Sequence, residues 1–113
     1  MPVYSNTDEI DELVAYKVMG ETSFDYTSSW SPTSRFADAW SIIEKMKEKG
    51  WFFQLEYQHG EYVLYFAEEN ENGVVFNTYG AVAKDLKLAI IMAALRANGI
   101  EIIVSLESSP EEE

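Results

Sequence analysis

The sequence predicts an α+β fold: a three- or four-stranded antiparallel sheet with helices in the order α-α-β-β-β-α(-β). Three observations predict it. The stretch FADAWSIIEKMKEKGWFFQLEY reads as an amphipathic helix, a glycine stop and a strand of large aromatics. Two more apolar runs follow across turns too short for a crossover, so the three strands form an antiparallel meander. An alanine-rich helix, AKDLKLAIIMAALRAN, then offers a wide apolar stripe whose small residues let it lie close on a sheet.

One domain is expected over residues 1–106, with an acidic disordered tail over 107–113. The first helix is expected at 8–19, where Ile10, Leu13, Val14, Lys17 and Val18 keep helical spacing. Asn6 or Thr7 stands at its cap and Gly20 at its end. The loop 20–33 has turn-forming composition, yet it carries Phe24, Tyr26 and Trp30, so it should dock on the core. Pro32 holds Ser31 extended, and Thr33 or Ser34 is expected to cap a helix over 34–49. Phe36, Ala39, Trp40, Ile43 and Met46 mark the buried face of that helix.

Strands are expected at 51–57, 61–69 and 74–79. The first places Trp51, Phe53, Leu55 and Tyr57 on one face; Trp40 and Ile43 should meet Phe53 and Leu55. The second is apolar on both faces, as a central strand is. Gln58-His59-Gly60 and Asn70-Glu71-Asn72-Gly73 form the turns. The last helix is expected over 83–98, and 100–106 as a short fourth strand. Two helices on one sheet face leave the other open, to be covered by helix one, the aromatic loop or a second copy of the chain.

Charge is concentrated at the ends. Residues 1–30 carry six acids against one lysine, 101–113 five acids and no base, and 31–100 nine acids against seven bases. The total is −12. Such a chain repels a phosphate backbone and complements a basic partner, while the same charge also serves solubility. There is no cysteine, hence no disulfide or thiolate site. No apolar run is long enough to span a membrane, and the N-terminus lacks the pattern of a secretory signal.

The chemistry-bearing residues form no catalytic set. His59, the sole histidine, falls in a turn with no second base or ligand beside it. The acids Glu68, Glu69 and Glu71 crowd a turn without EF-hand spacing, and Asp8, Glu9, Asp11 and Glu12 crowd a helix start, where they suit the dipole. Neither a nucleophile elbow nor a phosphate-binding glycine loop occurs. Aromatics are the stronger signal: Tyr4, Phe24, Tyr26, Trp30, Tyr62 and Tyr65 either roof the sheet or anchor a protein interface ringed by charge. The candidate partner-binding residues are therefore Asp8, Glu9, Asp11, Glu12, Phe24, Tyr26, Trp30, Glu68, Glu69 and Glu71.

Two resemblances bear on function. The order helix-strand-strand-strand-helix is similar to that of double-stranded-RNA-binding domains. Those carry a lysine cluster at the start of the last helix, where this chain has only Lys84 and Lys87 around Asp85. More specifically, Leu13-Val14-Ala15-Tyr16-Lys17-Val18-Met19-Gly20 resembles the L-V-A-x-K-V-M-G helix of the phage ABA sandwich domain family. Trp30-Ser31-Pro32-Thr33-Ser34 with Ala39-Trp40-Ser41-Ile42-Ile43-Glu44-Lys45-Met46 resembles its W-x-P-S segment and A-W-x-x-x-E-K-L helix. Ala89 to Gly99, AIIMAALRANG, resembles its A-I-C-x-A-A-L-K-A-x-G closing helix, with Ile91 in place of the cysteine. The loop 20–29 and the segment after Ile100 depart from the pattern. The resemblance implies helices packed as an α/β/α sandwich, a phage origin and expression in a bacterial host cytoplasm. It supplies no reaction and no catalytic residues.

The expectation is a non-enzymatic phage accessory protein without catalytic, cofactor or metal residues. It would bind a basic host protein, foremost a nucleic-acid-handling defence effector inhibited in an anti-CRISPR-like manner. Direct nucleic-acid and membrane binding are not expected; a homo-oligomer is allowed. The alternatives are a nucleotide-signal module using Arg35, Lys84, Lys87 or Arg96, and a structural phage protein.

Overall fold

The computed structural model describes residues 3, 4, 6–25, 29–69, 71–73 and 75–104; Tyr26 and the tail 107–113 lie outside them, as does the side chain of Tyr4. Its elements are β1 (Val3–Tyr4), α1 (Thr7–Lys17), α2 (Phe36–Glu48), β2 (Phe52–Gln58), β3 (Glu61–Glu69), β4 (Val75–Ala83), α3 (Leu86–Ala97) and β5 (Ile103–Val104). The fold is α+β, with β2, β3 and β4 in one antiparallel sheet in that order.

Local chemistry accounts for the boundaries. Asn6 caps α1, its side-chain oxygen accepting from the Asp8 amide at 2.8 Å. The β2–β3 hairpin closes through His59 and Gly60 at φ of 54° and 82°, the doubly left-handed turn that matches strand twist. β4 continues to Ala83, past the end expected at 79. The final helix accordingly starts later, at Leu86, with the Asp85 carboxylate accepting from the Lys87 amide at 2.9 Å. Neither Thr33 nor Ser34 caps α2: Arg35 holds the cap position without a side-chain hydrogen bond. The Thr33 hydroxyl is directed to Asp11 instead. A bulge interrupts the β3–β4 register at Ala67/Glu68, where Asn77 takes φ 53° and donates from Nδ2 to Glu68 at 2.9 Å.

The expected fourth strand does not join this sheet. β5 pairs in parallel with β1, Val3 opposite Ile103 and Tyr4 opposite Val104. The chain leaving α3 returns beside the segment that precedes α1, not to a sheet edge.

The centre of the packing is α3. Ala89, Ile90, Ile91, Ala93, Ala94 and Leu95 are all buried, so the helix is covered on nearly every side. It lies on β3 and β4, takes α2 along its flank, and receives α1. Ile10, Val14 and Val18 of the first helical segment thereby join the core of Ile42, Ile43, Met46, Leu64 and Phe66. The C-terminal ends of the three helices converge on Lys49, whose Nζ donates to the Val18 carbonyl at 2.8 Å and to Asn98 Oδ1 at 3.3 Å. Burial, and then the nearby Lys45, lower the Lys49 pKa.

On α2 the buried face is turned from the expected one: Ile42 is inside and Phe36 is 48% exposed. Trp40 packs edge-on against Phe53 with ring centroids 5.7 Å apart. Leu55, expected beneath the same helix, is 38% exposed because this contact covers only the first part of β2. Trp40→Ala should destabilise the fold by about 2–4 kcal/mol, toward the lower end of the range for a large core aromatic because the indole is only half-buried. Urea denaturation measures this; a midpoint unchanged from wild type would contradict the role given to Trp40.

Candidate partner-binding surface

The acidic and aromatic residues expected to meet a partner separate into three groups. The first is structural. Asp11 is 2% exposed, and its carboxylate accepts from Ser31 Oγ at 2.6 Å, from the Thr33 amide at 3.0 Å and from Thr33 Oγ1 at 3.2 Å. It is therefore not a partner-binding acid. A signal for this was present in the sequence: Asp11 stands three, four and seven residues before Val14, Ala15 and Val18, on the buried stripe of the helix. The network is extended by Asp38, which accepts from the Ser31 amide at 2.9 Å and pairs with Arg35 at 3.3 Å.

The second group surrounds α1 and the loop after it. Asp8 and Glu9 are exposed and Glu12 is half-buried. Partial desolvation, and then the neighbouring Glu12 carboxylate, raise the Tyr16 pKa, while the Phe24 backbone acts in the opposite direction. Ala15, Met19, Glu21, Ser23, Phe24, Asp25 and Trp30 line a groove of about 340 Å³. The loop does dock on the core as expected, through the half-buried Trp30. Two of the expected aromatic anchors, Phe24 and Trp30, therefore share one groove with two acids that sequence reasoning did not single out, Glu21 and Asp25.

The third group lies at the end of β3 and in the turn that follows it. Glu69 and Glu71 are exposed, whereas Glu68 is half-buried and accepts the Asn77 amide at the bulge. A wider pattern, invisible along the chain, appears here. β2, β3 and β4 contain four acids and no lysine or arginine. All eight bases lie on the helices or at their ends: Lys17 in α1, Arg35, Lys45, Lys47 and Lys49 around α2, Lys84, Lys87 and Arg96 around α3. The near-neutral middle of the sequence is thus sorted into an acidic sheet and mixed helices. Among the described residues no His, Asp and Glu side chains form a metal-binding group, and no helix is long and apolar enough to cross a membrane.

Asp11→Ala should cost about 2–4 kcal/mol in urea denaturation, since it strands the Thr33 amide and hydroxyl in the interior. Glu9→Gln, on the exposed side of the same helix, should stay within about 0.5 kcal/mol of wild type.

The model of the phage ABA sandwich domain matches residues 12–95. No curated protein and no solved structure matches the chain. The matched span runs from the second turn of α1 through α2 and the whole sheet into the last turns of α3. The chain belongs to the phage ABA sandwich domain family.

Proposed function

We propose that this phage-family protein acts by binding rather than by catalysis, and that its target is a basic protein of the bacterial host cytoplasm. The observation that carries the reading is the sorting of charge: a sheet with four acids and no base, the exposed Asp8 and Glu9 on α1, and Glu21 and Asp25 in an aromatic groove. In its most concrete form, the protein inhibits a nucleic-acid-handling defence effector, as an anti-CRISPR-like inhibitor would. Its carboxylates take the place of phosphates in a cationic channel. Direct nucleic-acid binding is disfavoured by the same charge.

The nucleotide-module alternative needs converging cations. Instead, Arg35 pairs with Asp38, Lys87 with Asp85 at 3.2 Å, and Arg96 with Glu101 at 3.1 Å while donating to the Gly80 carbonyl. The charge of these three is already directed to carboxylates of the chain, and the exposed Lys84, the fourth candidate, does not by itself make a converging set.

Immobilised protein exposed to host lysate, with retained proteins identified by mass spectrometry, tests the proposal. The expected captive is a basic nucleic-acid-binding protein whose affinity falls by about tenfold or more from roughly 50 to 200 mM salt. Salt-insensitive binding, or no affinity for any nucleic-acid-handling protein, would contradict it.

A further inference from the structure

The sheet face turned away from α2 and α3 carries a band of apolar side chains that no described residue covers. Strand alternation places Phe52, Val63, Tyr65, Val75 and Val82 on it. Phe52 and Tyr65 are 38% and 36% exposed, and Val75 and Val82 are 51% and 52% exposed. The Tyr65 ring lies against Gly80 across the strand pair; a Cβ on Gly80 would come within 2.6 Å of it. The missing side chain lets the ring lie flat. Between Phe52, Gln54, Tyr65, Ala67, Val75 and Thr78 a mainly apolar hollow of about 280 Å³ opens, wide enough to seat an apolar side chain.

The surround of this patch is acidic. Glu56, Glu61 and Glu69 share its face by register. The Glu56 carboxylate is held in place along β2 by Gln54 Nε2 at 2.9 Å and Gln58 Nε2 at 2.6 Å. With no lysine or arginine in the three strands, nothing on them neutralises these carboxylates. A soluble domain seldom leaves a continuous apolar patch uncovered without a use for it, and an apolar centre with a charged rim is the anatomy of an interface.

Resting on the reading of the protein as a binder of basic proteins, we infer that this sheet face is a docking surface. Its occupant is a protein segment with an apolar centre and flanking lysines or arginines. Charge complementarity selects that occupant. A second copy of the chain would bring Glu56, Glu61 and Glu69 against their own kind, and a nucleic acid would meet both carboxylates and a greasy centre. The apolar side chain fills the hollow beside Tyr65, and the cations reach the three glutamates.

The test uses the full ¹⁵N-labelled chain at low salt with two synthetic probes, a short peptide of alternating lysine and valine and a length-matched one of alternating lysine and serine. The lysine–valine peptide should shift amides of β2, β3 and β4 and bind about tenfold more tightly than the lysine–serine peptide. Val82→Lys, at an exposed position, should weaken it by about tenfold, and Glu56→Gln by a smaller factor, with circular dichroism unchanged. Shifts confined to α1 and its groove would overturn the sheet assignment while leaving the binding reading intact. No shift with either peptide would overturn both. A wild-type dimer by light scattering that Val82→Lys makes monomeric would show the face occupied by a second copy, and would also overturn the inference.

Discussion

One buried carboxylate sets the arrangement of the helical side of this protein. Removing Asp11 from water is costly, and the cost is offset by hydrogen bonds from Ser31 Oγ, the Thr33 amide and Thr33 Oγ1. Those donors come from the segment leading into α2. The bond set therefore joins α1 to the start of α2 across the long loop between them. Thr33 itself stands two residues before Arg35, the cap of α2, with its hydroxyl turned to Asp11. Pro32, buried between the two donor residues, stiffens the segment that presents them.

From that anchor the remaining layers follow. α1 is held on α3, and α3 is pressed on the sheet, so the helical side is closed around one core. Lys49 fastens the opposite ends of the helices through the Val18 carbonyl and Asn98. With α1 committed to α3, the far face of the sheet stays open among the described residues. Bases gather on the helical side, where they answer helix C-termini and neighbouring carboxylates, and the strands keep only acids. Structure and charge sorting are thus two results of the same packing.

Much of the fold was legible in local chemistry. Asn6 reads as a cap, His59-Gly60 as a tight hairpin turn, and EYVLYFAEE as a central strand, and each holds. What failed was information that lies between elements. The two-residue parallel pair of β1 with β5 has no periodicity to detect. GAVA (80–83) reads equally as a strand end or a helix start, and the register with β3 decides it. Val63 and Tyr65 belong to a strand apolar on both faces, and only the placing of the helices decides that theirs is the open face. For the candidate surface, Phe24 and Trp30 were legible as docked loop aromatics, whereas Asp11 was mistaken for surface charge because its neighbours Asp8, Glu9 and Glu12 are surface charge. Only its phase relative to Val14 and Val18 separates it from them.

The most direct measurement is amide hydrogen exchange on the wild type and Asp11→Ala. If Asp11 is the anchor, the Thr33 amide is strongly protected in the wild type, and in the variant it loses more protection than Leu64 and Phe66 in β3. A Thr33 amide that exchanges freely in the wild type, or that is no more affected than the β3 amides, would contradict the account.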